Sequence, residues 1–281
     1  MSGAPQDLIR FVLSDMDGTL LLPDHSLTPR IVDAVARLRE AGILFSLASS
    51  RPPRAMRAQV QALGVDLPTA GFNGGTLVNP DGSYLRSHPI DRRAVDACLA
   101  LFSEHPVAIW VFADDQWLLL NTDGHYVGKE RHALGYEPVI VTRFDDYLDR
   151  VDKMVASSTD FDLLIRLEQQ LAPQLEGQAL AVRSQDYYLD ITALQADKGT
   201  ALAFLADHVG VPLAQTAALG DGANDVAMFH RAGLAIAMGQ ARPAVREQAD
   251  VVVASNSEEG VAQAIDEWLL PRAPRAPVKP N

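Results

Sequence analysis

The strongest constraint on the fold is a strand–helix alternation that occupies both ends of the chain and is interrupted in the middle. Leu8 to Asp15 is short, apolar and partly β-branched, as a strand buried on both faces would be. Thr28-Pro29 then supplies an N-cap and a proline at the first helical position; Ile31, Val35 and Leu38 follow at helical spacing, and Gly42 stops the helix. Ile43 to Ala48 reads as a second buried strand, and Met56, Val60 and Leu63 share a face of a second helix ended by Gly64. After Ala193 the alternation resumes, with a helix to Gly210, a strand over Thr216 to Gly220, a helix, two further strands (LAIAMG and ADVVVAS) and a last helix from Ser257. Strands separated by helices pair in parallel with right-handed crossovers. The ends therefore predict one α/β domain, a Rossmann-like parallel sheet.

Between these ends the pattern differs. TLVNPDGSYLRS reads as a hairpin turning at Asn79-Pro80-Asp81-Gly82. Strand patterns over 107–112, 116–121, 137–142, 151–158, 180–184 and 187–192, with tight turns at Asp114-Asp115 and Gln185-Asp186, predict an inserted α+β domain with an antiparallel sheet. The length of 281 residues suits two domains. The expected division is core 1–88, insert 89–191, core 192–270 and a proline-rich, disordered tail 271–281.

Lys plus Arg number 24 and Asp plus Glu 36, a formal net charge of −12. That balance argues against a general nucleic-acid binder and against docking on an anionic membrane. A small anionic substrate stays compatible, because a metal ion or local cations override the global sign. Cys98 is the one cysteine, so no intrachain disulfide forms; its amphipathic surroundings predict a packed thiol. The absence of a signal-like h-region and of a long apolar run gives a cytoplasmic setting as the expectation. The seven histidines show no ligand spacing, so no zinc site is expected.

Four segments carry chemistry. Asp15-Met16-Asp17-Gly18-Thr19 directly follows the first strand, and in extended backbone its two carboxylates would project to one side. Paired carboxylates can hold a divalent cation, or divide the roles of nucleophile and proton carrier. Ser49-Ser50-Arg51 ends the second strand before a helix, where hydroxyls and free N–H groups suit a phosphate. Lys198 starts a helix, against the macrodipole, which makes sense if it faces an anionic site. Gly220-Asp221-Gly222-Ala223-Asn224-Asp225 is a concentrated acidic loop after a buried strand. Each segment alone has a plain alternative as a cap, a turn or a solvated side chain. All four fall at the carboxyl edge of one predicted sheet, where open α/β sheets bind ligands. Together they are equipment for binding and transferring a phosphoryl group.

DMDGTL at 15–20, SSRP at 49–52, FNGG at 72–75, DKGTAL at 197–202, GDGANDVAM at 220–228, and AMGQA and ADVVVASNSEEGVA beyond them, in this order, resemble the haloacid dehalogenase superfamily. The closest resemblance is to its Cof-like phosphatases, which carry a C2B-type cap inserted in the core. The resemblance implies that Asp15 is the nucleophile that forms an aspartyl-phosphate and that Asp17 is the general acid and base. It implies that Lys198 offsets charge between nucleophile and phosphoryl group. Ser49, Ser50, Asn73, Gly74 and Asn224 would line the phosphate site. Asp15, the main-chain carbonyl of Asp17, and Asp221 would hold Mg²⁺, with Asp225 supporting the loop. Two positions depart from the usual pattern: Ser50 stands where glycine is usual, and Gln240 where asparagine is usual.

The implied activity is a Mg²⁺-dependent phosphomonoesterase for small phosphorylated metabolites such as sugar phosphates, flavin mononucleotide or pyridoxal phosphate. A phosphomutase, or a phosphatase dedicated to a glycosyl phosphate, would use the same core motifs. A catalytically weak metabolite-binding protein is a more remote reading. Arg183 and Asp186, near a predicted cap turn, are candidates for contacting the substrate's non-phosphate end. The sequence indicates neither the substrate nor the oligomeric state.

Overall fold

A computed structural model describes residues 8–274. They divide into two compact units, one of residues 8–50, 56–85 and 197–274, the other of 51–55 and 86–196.

The first unit is built on a five-stranded parallel sheet. Its strand order is Val251–Val252, Leu234–Ala237, Thr216–Gly220, Phe11–Ser14, Leu44–Leu47. Side-chain alternation along the strands feeds two cores. Val12 packs with Ile31, Val35 and Leu38 of the helix Pro29–Glu40 and with Val261, Ile265 and Leu269 near the C-terminus. Phe11 and Leu13 point the other way, onto Leu202 and Leu205 of the helix Lys198–His208 and onto Met228 and Phe229. Helices thus cover both faces, and the inner strands Phe11–Ser14, Thr216–Gly220 and Leu234–Ala237 are buried end to end, which is why the sequence shows apolar runs in place of alternation.

Thr28 caps the first helix as expected, its hydroxyl accepting from the Ile31 N–H. Asp197, read only as part of a motif, caps the helix that begins at Lys198 by accepting from the Thr200 N–H. The expected hairpin belongs to a three-stranded sheet, in which Thr69–Gly71 and Tyr84–Ser87 flank Thr76–Val78. The expected strand ADVVVAS contracts to Val251–Val252.

The second unit holds a six-stranded sheet ordered Ala179–Gln185, Tyr188–Ala193, Val151–Ser157, Ala108–Ala113, Gln116–Leu119, Val139–Ile140. Its ladders are antiparallel except the last, where Leu118 and Leu119 pair in parallel with Val139 and Ile140. Asp114 and Asp115 both adopt left-handed backbone, with φ of 53° and 60°, as a two-residue hairpin turn requires. One face packs on the helices Arg92–Ser103 and Phe161–Leu171. Cys98 lies in that core, and burial pushes its thiol up to about 12. On the strands, Trp110 meets Trp117 and Tyr188 edge to face, all three buried.

Of the stretch 271–281 expected to be disordered, Pro271 to Pro274 are placed in the structure. The Arg272 carbonyl accepts from the Ile9 N–H, and Ala273 packs on the core. Residues 275–281 lie outside the described residues, as do 1–7 at the other end. Among the described residues no helix is long and apolar enough to cross a membrane.

Candidate active site

The sheet reverses its winding direction at Phe11–Ser14, with Leu44–Leu47 on one side and Thr216–Gly220 on the other. Ligands bind at such switch points, beyond the carboxyl ends of the strands. Ser14 pairs with Leu219, and the Asp15 N–H donates to the Leu219 carbonyl, so Asp15 leaves the sheet beside Asp221. The chain does not stay extended after Asp15. The N–H groups of Thr19, Leu20 and Leu21 all donate to the Met16 carbonyl. A turn, rather than the two-residue strand period expected, therefore sets where Asp17 points.

At the floor of the site Lys198 is 1% exposed and bridges two carboxylates. Its Nζ lies 2.5 Å from Asp15 Oδ1 and 2.7 Å from Asp225 Oδ1. The other Asp225 oxygen accepts the N–H groups of Asp221 and Gly222 at 2.9 and 2.8 Å. Asp225 is thus fully occupied in holding the lysine and shaping the acidic loop. A lysine at a helix start is explained: Lys198 points into this buried carboxylate pair.

Carboxylate oxygens of Asp15, Asp221 and Asp225 lie within 4.8 Å of one another. One ammonium cannot balance three carboxylates. Burial raises Asp15 above the ordinary carboxylate range; Lys198 pulls it back, and Asp225 and Asp221 push it further up. Burial opposes the charge on Lys198, but Asp15 and Asp225 outweigh it and hold the lysine charged. Asp221 is pushed up to about 6, by burial and then by Asp225. Asp15 Oδ2 is buried without a hydrogen-bond partner. A buried orphan acceptor amid surplus negative charge fits a hard cation with oxygen ligands. Asp15 and Asp221 are the side chains left to hold it, since Asp225 is already committed.

Beside this cluster the Ser49 N–H donates to the Ala70 carbonyl, and the Ser49 carbonyl accepts from the Asn73 N–H at 2.8 Å. Asn73 has left-handed backbone, with φ 57°, and its Oδ1 accepts from Asn224 Nδ2 at 2.9 Å. Gly74, at φ 94°, has no room for a Cβ, which would stand 2.9 Å from the Asp197 carbonyl oxygen. Ser49, Asn73, Gly74, Asn224 and Asp221 thus converge on one sheet edge, with Ser50 next to Ser49 in the chain.

Arg183 and Asp186, the candidates in the second unit, stand apart from each other chemically. Arg183 Nε donates to Glu168 Oε2 at 2.9 Å, tying its strand to the helix Phe161–Leu171. Asp186 is exposed in the turn before Tyr188–Ala193.

Several residues that serve the site carry no chemistry legible in isolation. Gln240 Nε2 donates to the Gly18 carbonyl while its Oε1 accepts from the Asn256 N–H, so the departure at 240 clamps the loop after Asp17. Asn256 Nδ2 donates to the Leu21 carbonyl, and Glu259 accepts from Thr28 and Arg30. The signal was present as the downstream motifs AMGQA and SNSEEGV, which the structure turns into a brace for residues 18–30. His25 sets its Nδ1 3.0 Å from Asp17 Oδ1.

Gly18 is where the two acidic segments touch. With φ 80°, a Cβ there would stand 2.4 Å from Asp221 Oδ2. Gly18→Ala is expected to lose about 1–2 kcal/mol from the backbone alone, and more from displacing Asp221. Thermal unfolding checks this.

A sheet of this topology, carrying a buried lysine and an acidic cluster at its switch point, defines an α/β enzyme core with a second unit inserted in it. The chain belongs to the haloacid dehalogenase-like hydrolases, whose family pattern matches residues 12–265. It is 27% identical over 261 residues to a Haemophilus influenzae protein provisionally named a phosphatase, covering 92% of this chain and 98% of that protein. A solved haloacid dehalogenase-like hydrolase from Bacteroides thetaiotaomicron superposes with a TM-score of 0.86 at 27% identity, over 92% of this chain and 98% of that one. A structure described as a subclass IIB sugar phosphatase of the superfamily shares the fold with a TM-score of 0.81 at 22% identity, over 93% and 99% of the two chains.

Proposed function

We propose that the protein is a Mg²⁺-dependent phosphomonoesterase for small phosphorylated metabolites, working through an aspartyl-phosphate on Asp15. The observation that carries this reading is the buried triad of Asp15, Lys198 and Asp225 beside Asp221, with the unpartnered Asp15 Oδ2 inside it. The Haemophilus relative's name and the sugar phosphatase among the similar folds support the substrate class.

In this reading a carboxylate oxygen of Asp15 attacks phosphorus while the bond from phosphorus to the ester oxygen breaks. Asp17 gives its proton to that departing oxygen, which leaves as an alcohol. A water then attacks the phosphorus of the aspartyl-phosphate and yields its proton to Asp17. The bond from phosphorus to Asp15 breaks, releasing phosphate and restoring both carboxyl groups. Lys198 pulls the raised Asp15 carboxyl back toward its ionised form and offsets the charge of the incoming phosphoryl group, which lowers the repulsion between two anions. Ser49, Ser50, Asn73, Gly74 and Asn224 bind the phosphoryl oxygens. When bound by Asp15, Asp221 and the Asp17 carbonyl, Mg²⁺ supplies neutralising charge for the nucleophile and phosphate. The test is release of phosphate from p-nitrophenyl phosphate with Mg²⁺, which chelation should abolish; turnover undiminished by chelation would contradict the metal dependence.

The raised Asp221 has a consequence for stability. A carboxyl with a folded pKa of about 6 binds protons better in the folded chain than in the unfolded one. Its contribution is fully present below the unfolded pKa and is lost as pH rises through about 6. Mg²⁺ counters that loss by binding the ionised form. The metal should therefore raise the unfolding temperature more at about pH 8 than at about pH 5, and Asp221→Asn should shrink the difference, leaving the part that Asp15 contributes. Differential scanning fluorimetry with Mg²⁺ and with chelator reads it out.

A further inference from the structure

We infer that His25 is a positioning residue for Asp17, fixing the carboxyl that serves the leaving group; the inference rests on the phosphatase reading above. The motif after Asp17 reads Leu22-Pro23-Asp24-His25-Ser26, and nothing in its composition marks the histidine. The structure shows a closed turn. The His25 N–H donates to the Leu22 carbonyl at 2.8 Å and the Leu22 N–H to the Ser26 carbonyl at 3.0 Å. Asp24 Oδ1 accepts from the Ser26 N–H at 2.9 Å. His25 sits in this turn with φ 64°, a left-handed backbone that costs a residue bearing a Cβ about 1–2 kcal/mol. Glycine would avoid that cost. The strained conformation instead brings the imidazole to the acid, with Nδ1 3.0 Å from Asp17 Oδ1. Strain held in place by surrounding hydrogen bonds points to a role for the side chain that it presents.

The contact is not explained by folding energy. The side chains of His25 and Asp17 are 49% and 32% exposed, and pairs this exposed add little to stability. Its geometry is what matters. Asp17 stands on a turn rather than on a strand, so the sheet does not fix its carboxyl orientation. Gln240 and Asn256 hold the Gly18 and Leu21 carbonyls, Glu259 holds the Thr28 side chain, and His25 holds the Asp17 side chain itself. Either ring tautomer keeps the contact, since Nδ1 can donate to a carboxylate or accept from a carboxylic acid.

Two substitutions separate the side chain from the strained backbone. His25→Gly removes the imidazole while relaxing the left-handed conformation. His25→Asn tolerates that conformation and puts an amide nitrogen near the place of Nδ1. The probes are p-nitrophenyl phosphate, whose leaving group departs without a proton, and phenyl phosphate, whose leaving group is more basic. For His25→Gly, kcat/KM on phenyl phosphate should fall about tenfold, while p-nitrophenyl phosphate loses less than about threefold. His25→Asn should regain most of the loss, and both variants should unfold close to the parent's temperature. Equal losses on the two esters, or no loss on either, would overturn the role. Failure of the phosphatase reading itself looks different: the parent protein would turn over neither ester, or Asp15→Asn would remain active.

Discussion

Asp15→Asn should lower kcat for phosphomonoester hydrolysis by roughly 10⁴-fold or more, because in the proposed mechanism it removes the attacking group and not an accessory to it. The fold should survive the change. Asparagine is nearly isosteric and can still accept from Lys198, which keeps Asp225 at 2.7 Å as a charged partner. The substitution also lowers the surplus negative charge around Asp15, Asp221 and Asp225. Equilibrium unfolding of the metal-free variant should therefore match or exceed the parent while activity disappears. A loss below tenfold would remove Asp15 from the nucleophile's role.

The second large effect is at Lys198, and there stability and activity should fall together. The ammonium is buried with two carboxylates, each at hydrogen-bond distance. Lys198→Met keeps most of the volume and leaves Asp15 and Asp225 without their cation. Breaking a buried pair by removing one partner costs about 3–5 kcal/mol. The stranded carboxyls then bind protons more tightly in the folded chain than in the unfolded one. The deficit should therefore be largest at alkaline pH and shrink as pH falls. Losing the charge that offsets an incoming phosphate should lower kcat/KM by about 10²–10³. Urea titrations across pH, with the phosphatase assay in parallel, measure both. A variant as stable as the parent at alkaline pH would mean that Lys198 does not hold the carboxylates together.

The parallel core was legible because strands buried on both faces leave apolar runs, as Phe11–Ser14, Leu44–Leu47 and Thr216–Gly220 do. Where burial is brief the signal fades. Thr69–Gly71 has three residues and no β-branched run, although its Ala70 carbonyl accepts from Ser49 and it leads directly to Asn73. The parallel pairing of Leu118 with Val139 was not readable either, since Val139 and Ile140 are exposed and register leaves no local mark. Site residues with their own chemistry could be placed from element ends: Asp15 and Asp221 from strand ends and Lys198 from a helix start. Residues that act by bracing could not. Gln240, Asn256 and His25 matter through partners far along the chain or across a turn, and a single sequence shows neither.

The haloacid dehalogenase-like core also explains the glycines of the acidic loops. Gly18 and Gly220 are packed so closely that a Cβ on either would stand 2.4 Å from an Asp221 or Asp225 atom. Close packing of carboxylates needs that absence of side chain, and it creates the charge surplus that the proposed cation would relieve.

The most direct test of the central claim is mass spectrometry of the protein acid-quenched during turnover of p-nitrophenyl phosphate with Mg²⁺. The account predicts one added phosphoryl group on the peptide that contains Asp15, absent from Asp15→Asn. A phosphoryl group on another residue would contradict it, as would steady turnover by Asp15→Asn at the parent's rate.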